Sequence, residues 1–275
     1  MDPNSNENST KTKKIKFHII TVFPEFFSSP LKVGLMEKAI RNGIIDLEFI
    51  DLKKFDEILD DRPYGGGQGM ILKIEPIVKA IRSIKPEGDK IIKIITTPSG
   101  SLFNQKKAQE MSGYSDIVIV CGRYEGIDAR VIHYIDDEIS IGDYVIHSGE
   151  TAALVIIESV ARLLEGFKSK ECTEEISLNL LGYPQYTRPR EFEGYKVPDI
   201  LLSGNHKEIR SFRIKKSIEK TIKKRPDLVA KILHEIKKKD SIVKEFLEGK
   251  IDESEIKKIL EDYFEKLEIK PDPFI

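Results

Sequence analysis

The stretch IVIVCGRYEGIDARVIHYIDDEISIGDYVIHSGE, residues 117–150, decides the fold. It opens with Ile117–Cys121, apolar at consecutive positions, the pattern of a strand buried on both faces. A glycine-bearing turn follows in CGRYEGID (Cys121–Asp128), then a helical candidate over Ile127–Ile135, then a second strand expected over Glu138–Ile146. Strand, turn, helix and strand in this order is the unit from which parallel sheets are built.

The same alternation extends outward in both directions. Upstream, strand-like runs at Ile15–Phe23, Ile44–Leu52 and Ile91–Thr96 are separated by helical candidates. Leu31–Asn42 ends at Gly43, a residue suited to the position just past a helix. Glu75–Lys85 carries Pro76 where a first turn tolerates it and stops before Pro86. Asn104–Met111 ends before Gly113. Downstream, Gly149–Leu164 places Ala153, Ile157, Ala161 and Leu164 on one apolar stripe of a longer helix. The fold class expected is α/β, with a mainly parallel sheet.

Beyond that helix the character of the chain changes. Gly166–Asn179 is polar and aperiodic, and reads as a linker. Lys/Glu-rich helices are expected near Glu208–Lys224, Asp227–Lys238 and Ser254–Leu267, making a smaller, mostly helical domain. The organisation expected is a disordered tail (1–14), an α/β domain (15–165), a linker (166–179) and a helical domain (180–275).

Composition bounds the function. The formal charge of −1 gives no general argument for a nucleic-acid partner, so any RNA contact must come from local clustering. One cluster exists: His206–Arg225 holds nine Lys/Arg against two acidic residues. Such a run is most often a solvated helix face. Here it follows a Pro/Tyr turn with Tyr183 and Tyr186, which favours RNA. The only cysteines, Cys121 and Cys172, form no CxxC pair, which argues against a disulfide framework or zinc site. No apolar run is long enough for a membrane span, and the polar first residues lack a signal-peptide core, so a cytoplasmic protein is expected.

Three glycine-bearing segments fall where strands of a parallel sheet end, the usual ligand side of such a sheet. They are TTPSG (Thr96–Gly100), CGRYEGID and ISIGDYVIHSGE (Ile139–Glu150). None is a Walker A loop or a GxGxxG fingerprint. Each alone reads as a tight turn; three together point to a nucleotide-like ligand. DDRPYGGGQGM (Asp60–Met70) reads equally as a flexible surface loop or as a loop ordered by a ligand or RNA, with Arg62 and Tyr64 as contacts.

Taken in order, DDRPYGGGQGM, CGRYEGID, ISIGDYVIHSGE, LLGYPQYTRP (Leu180–Pro189) and LLSGNHKEIRSFR (Leu201–Arg213) resemble the bacterial tRNA (guanine-N1)-methyltransferases, and FPEFF (Phe23–Phe27) fits as well. The resemblance runs from about Ile15 to Leu228. It implies an α/β domain ending in a C-terminal trefoil knot, a homodimer, S-adenosylmethionine as methyl donor, Mg²⁺ as an aid, and the guanosine at position 37 of tRNA as target. By position, the methyl donor would meet Thr97, Pro98, Gly122, Tyr124 and Glu125. It would also meet Ile141, Gly142, Asp143, Tyr144, Val145, Ile146 and Gly149.

The resemblance further implies an arginine that stabilises charge on the base, which falls at Arg162. Without it, Arg162 reads as a helix-surface partner of Glu158. The general base implied is an aspartate in the linker; this chain has Glu174 there, with Glu175 beside it. Other departures are Ser148, Ala152, Asn179 and Gly182. The metal ligands are not assigned, Glu125 being one candidate. The resemblance leaves open a relative acting on another RNA base, or one that binds RNA without turnover.

Overall fold

The computed structural model describes residues 14–167, 180–236 and 240–266. The expected tail, and the linker from residue 168 to 179, lie outside the described residues. The chain divides into two compact units, Met1–Ser169 and Lys170–Ile275.

The first unit is built on a five-stranded sheet. Its strands are β1 (Ile15–Thr21), β2 (Ile45–Asp51), β5 (Ile91–Leu102), β6 (Asp116–Val120) and β7 (Asp137–Ser140), in the order β2-β1-β6-β5-β7. Every pairing is parallel. The helices are α1 (Gly34–Arg41), α2 (Ile74–Ser83), α3 (Gln105–Met111) and α4 (Gly149–Ala161). Consecutive apolar residues make sense in this setting, because both faces of β6 are covered. Ile117, Ile119 and Cys121 join one core with Phe17, Ile156 and Val160. Val118 and Val120 join the other with Leu52, Leu72 and Ile77. Each fully buried Ile, Leu or Phe side chain contributes about 1.5–3 kcal/mol.

The structure corrects several sequence expectations. The strand expected over Glu138–Ile146 stops at Ser140. Gly142, at φ +151, turns the chain out of the sheet, and the Ser140 hydroxyl is within hydrogen-bond reach of both its N–H and its C=O. Tyr144, Val145 and Ile146 are consequently exposed. TTPSG is not a turn after a strand but a bulge within β5: Thr96 and Ser101 both pair with Ile139, so Thr97–Gly100 are pushed out. The helix expected over Ile127–Ile135 is a 3₁₀ helix at Ala129–Tyr134, started by Asp128, whose carboxylate accepts the Arg130 N–H. The helix expected over Leu31–Asn42 is split into a 3₁₀ turn, Pro30–Lys32, and α1.

A two-residue ladder, β3 (Asp60–Asp61) with β4 (Ile71–Leu72), was too short for periodicity to reveal. It closes the glycine-rich segment into a hairpin, with Tyr64 fully exposed at its tip.

Among its described residues, the second unit contains a small hairpin, β8 (Glu191–Phe192) and β9 (Tyr195–Lys196), and four α-helices. These are α5 (His206–Lys224), α6 (Pro226–Glu235), α7 (Asp240–Leu247) and α8 (Glu253–Lys266). Their shared core includes Ile218, Leu233, Leu260 and Phe264. Buried Thr221 donates to the Ser217 carbonyl at 2.7 Å and accepts the Leu181 N–H at 2.9 Å, which ties the segment at Leu181 to the helix α5. No helix among the described residues is long and apolar enough to cross a membrane.

Candidate functional site

A cavity of about 640 Å³ opens at the bulge of β5 and the carboxyl ends of β6 and β7, within the size range of small-ligand sites. Three loops wall it. The β5 bulge contributes Thr97, Pro98 and Ser99; the segment after β6 contributes Gly122, Tyr124 and Glu125. The segment after β7 contributes Ile141, Gly142, Tyr144, Val145 and Ile146, and Gly149 at the start of α4 completes the wall. Of the positions that the resemblance places at the methyl donor, Asp143 alone is exposed without lining this cavity.

The loops touch through backbone, which is why glycine stands at their junctions. Gly149 donates its N–H to the Gly122 carbonyl at 2.8 Å. A Cβ on Gly149 would stand 2.3 Å from Thr96 Oγ1 and 2.4 Å from the Gly122 nitrogen. A Cβ on Gly122 would stand 2.8 Å from the Thr96 carbonyl. Tyr124 takes φ +58, a left-handed conformation uncommon for an aromatic residue and a place where local strain is held by its surroundings.

The glycine-rich hairpin supports the same loop. Glu125 N–H donates to the Met70 carbonyl, Leu72 N–H to the Gly126 carbonyl, and Asp128 N–H to the Leu72 carbonyl. Gly69, at φ +79, lies so close that a Cβ there would meet Glu125 Cγ at 2.3 Å. The segment that reads as a free loop in sequence is thus tied at its root to the cavity wall.

The carboxylates lining the cavity, Glu125, Asp128 and Glu138, outnumber its one arginine, Arg123. Glu125 and Glu138 line it, and Glu138 accepts from the Ser99 hydroxyl at 3.4 Å, which is itself 3.0 Å from Thr97 Oγ1. Arg130 beside Asp128 holds its carboxyl below the ordinary aspartate range. Burial raises the Tyr124 phenol and pushes the Cys121 thiol well up, the latter aided by Glu150. Cys121 is therefore an inert, protonated filler at the strand end. Sequence reasoning missed Ser99 and Glu138, because only the pairing of β5 with β7 brings them together.

Behind the wall lies Glu150, wholly buried in the first turn of α4. It accepts from the Thr21 hydroxyl at 2.6 Å and pairs with Arg123 Nε at 3.2 Å.

The catalytic positions separate. Arg162 caps the carboxyl end of α4, exposed, and forms no ion pair with Glu158 among the described contacts. Thirteen residues of α4 put it about 20 Å along the axis from Gly149. Glu174 and Glu175 lie outside the described residues.

A family model described as tRNA (Guanine-1)-methyltransferase TrmD matches residues 15–231. The chain belongs to this family. Among curated relatives, a tRNA (guanine-N(1)-)-methyltransferase of Dictyoglomus turgidum is 47% identical over 240 residues, covering 82% of this chain and 97% of that one. The enzyme of the same name from Treponema denticola is 48% identical over 242 residues, covering 84% and 99%. That of Mycoplasmopsis agalactiae is 44% identical over 228 residues, covering 80% and 100%. The matched region takes in the whole cavity of this family member and the basic helix α5.

Proposed function

We propose that this protein methylates N1 of a guanosine in tRNA, at position 37 beside the anticodon, with S-adenosylmethionine as donor. The observation that carries the reading is the glycine-walled cavity at the strand ends, in a chain of this family.

The cavity fits the donor chemically. Gly122, Gly142 and Gly149 leave backbone close enough to grip an adenosine, and Ile139 and Ile141 offer apolar walls. Glu125 and Glu138 favour a ligand that carries positive charge, as a sulfonium and an ammonium do. When bound, S-adenosylmethionine supplies an electrophilic methyl group.

Guanine N1 holds a proton at neutral pH and is a weak nucleophile while it does. Glu174, with Glu175 as the alternative, takes that proton, and Arg162 meets the negative charge that gathers on O6. Arg162 lies at the far end of α4 from the cavity of its own chain. A homodimer, in which a second copy brings its Arg162 to the cavity, makes the site complete. The backbone contacts between the three loops support the threaded, knotted path carried by the family resemblance. A tRNA substrate accords with a cytoplasmic location.

Mg²⁺ fits less well. Among the described residues no group of three His, Cys, Asp or Glu side chains is arranged to hold a metal, and Glu125 alone makes no site. No step is assigned to a metal.

The direct test is methyl transfer from labelled S-adenosylmethionine to tRNA transcripts carrying guanosine or adenosine at position 37. Label in the guanosine transcript alone is the expected result. Label in neither, with the donor shown to bind, would overturn the reading.

A further inference from the structure

The ring of Phe23, just past the end of β1, carries two cations. Arg123 Cζ lies 4.4 Å from its centroid and Lys53 Nζ lies 4.6 Å from it. The ring quadrupole attracts a cation placed over its face, which biases where these long side chains point.

The supports of this pair are rigid. Leu52 is fully buried, and Asp51 caps the 3₁₀ turn Leu52–Lys54 by accepting the Lys53 N–H at 3.0 Å. Phe23 N–H donates to Thr21 Oγ1 at 3.0 Å, and the Thr21 hydroxyl donates to Glu150, which also holds Arg123 by Nε. Phe23 and Arg123 are thus locked through one buried carboxylate. Glu150 is the only carboxylate paired with Arg123 among the described residues, and the exposed Lys53 and Lys54 form no ion pair among them. Glu150 balances Arg123, so Lys53 is the cation of the two with no ion pair among the described residues, and an anion that reaches it displaces no existing partner.

We propose that Lys53 and Arg123, set by Phe23, form a phosphate-binding site for the RNA backbone on the α/β unit, separate from the basic helix α5. The proposal rests on the tRNA reading above. Its place supports it: the ends of β1, β2 and β6 adjoin the segment Gly122–Glu125, so an RNA strand held here passes beside the cavity wall. A planar guanidinium and a mobile ammonium together suit a phosphodiester, which offers two free oxygens. This surface reads phosphate, not base, and sets position rather than sequence.

The test compares full-length Lys53→Ala, Lys53→Glu and Lys53→Arg with the unaltered protein, by turnover and by filter binding of tRNA across a salt series. Lys53 is exposed and outside the cavity, so kcat at saturating tRNA and the Kd for S-adenosylmethionine should not move. The KM for tRNA should rise about three- to fivefold in Lys53→Ala, further in Lys53→Glu, and return with Lys53→Arg. The slope of log binding constant against log salt should fall by about one in Lys53→Ala and Lys53→Glu. An unchanged KM and an unchanged slope in both would overturn the site. Absence of turnover in the unaltered protein would count against the methyl-transfer reading instead, while the binding slope would still decide the phosphate site.

Discussion

The amide of Gly149 donates to the carbonyl of Gly122 at 2.8 Å, joining the first turn of α4 to the end of β6 with no side chain between them. That contact closes the back of the cavity, and it exists only because both residues lack Cβ. A Cβ on Gly149 has nowhere to go, since two of its three nearest neighbours are backbone atoms.

Gly149→Ala should therefore weaken S-adenosylmethionine binding at least tenfold by calorimetry, and lower Tm by several degrees. An alanine that left both values unchanged would show that the loops yield readily and that their contact does not shape the cavity.

At the opposite end of the sheet, His18 sits wholly buried with Nδ1 2.8 Å from Glu48 and Nε2 3.0 Å from Asp116. Burial opposes the Asp116 charge, but His18 and the amides of Glu87 and Gly88 outweigh it, so its carboxyl stays below the ordinary aspartate range. A depressed carboxyl stabilises the fold above the unfolded aspartate range, and that contribution fades as pH falls through the folded value. Asp116→Asn should cost about 1–3 kcal/mol at neutral pH, because a buried carboxylate that accepts several hydrogen bonds is replaced by an amide that cannot accept them all. Measured by denaturant unfolding, the deficit should shrink as pH falls below 4. A deficit independent of pH would mean that packing, not charge, is what the variant disturbs.

Much of this fold was legible because β6 is apolar at consecutive positions, which only a strand covered on both faces requires. Reading failed where composition and geometry part. ISIGDYVI has the content of a strand, yet Gly142 turns it out to wall a cavity whose lining is more apolar than polar. The hairpins at Asp60–Leu72 and Glu191–Lys196 are two residues per strand, shorter than any periodicity. In the site, residues adjacent in sequence were found together. Thr21 and Glu150 are 129 positions apart, and only the packing of α4 against β1 unites them.

A composite site has a signature in mixed subunits. If Arg162 serves the cavity of the other copy, Arg162→Ala and Glu125→Ala chains, each inactive alone, should recover activity on mixing and refolding. Random pairing makes half the dimers mixed, each with one intact site, so about a quarter of full activity is expected. Recovery near zero would mean that Arg162 and the cavity of one chain act together.

Glu174→Gln and Glu175→Gln separate the two candidates for the base. The true base should lose at least a hundredfold in kcat with the Kd for S-adenosylmethionine unchanged, and the rising acid limb of its pH–rate profile should vanish. The other variant should stay within a few-fold of normal. If neither lowers kcat, the proton leaves N1 by another route.

Glu150 offers the sharpest view of how buried charge supports the cavity. Its carboxylate accepts from Thr21 and from Arg123, and Arg123 in turn lines the cavity, stacked on Phe23. Glu150→Gln keeps the volume but leaves the guanidinium without its counter-charge in a partly buried place. Arg123 should then turn toward solvent, loosening the segment that carries Gly122 and Glu125. The expected outcome is a several-fold weaker Kd for S-adenosylmethionine and a loss of about 1–3 kcal/mol in stability. Glu150→Gln combined with Arg123→Gln removes both charges and should recover part of the stability, because an amide pair leaves no buried ion. Stability that fell further in the double variant would show that the two residues act on separate supports.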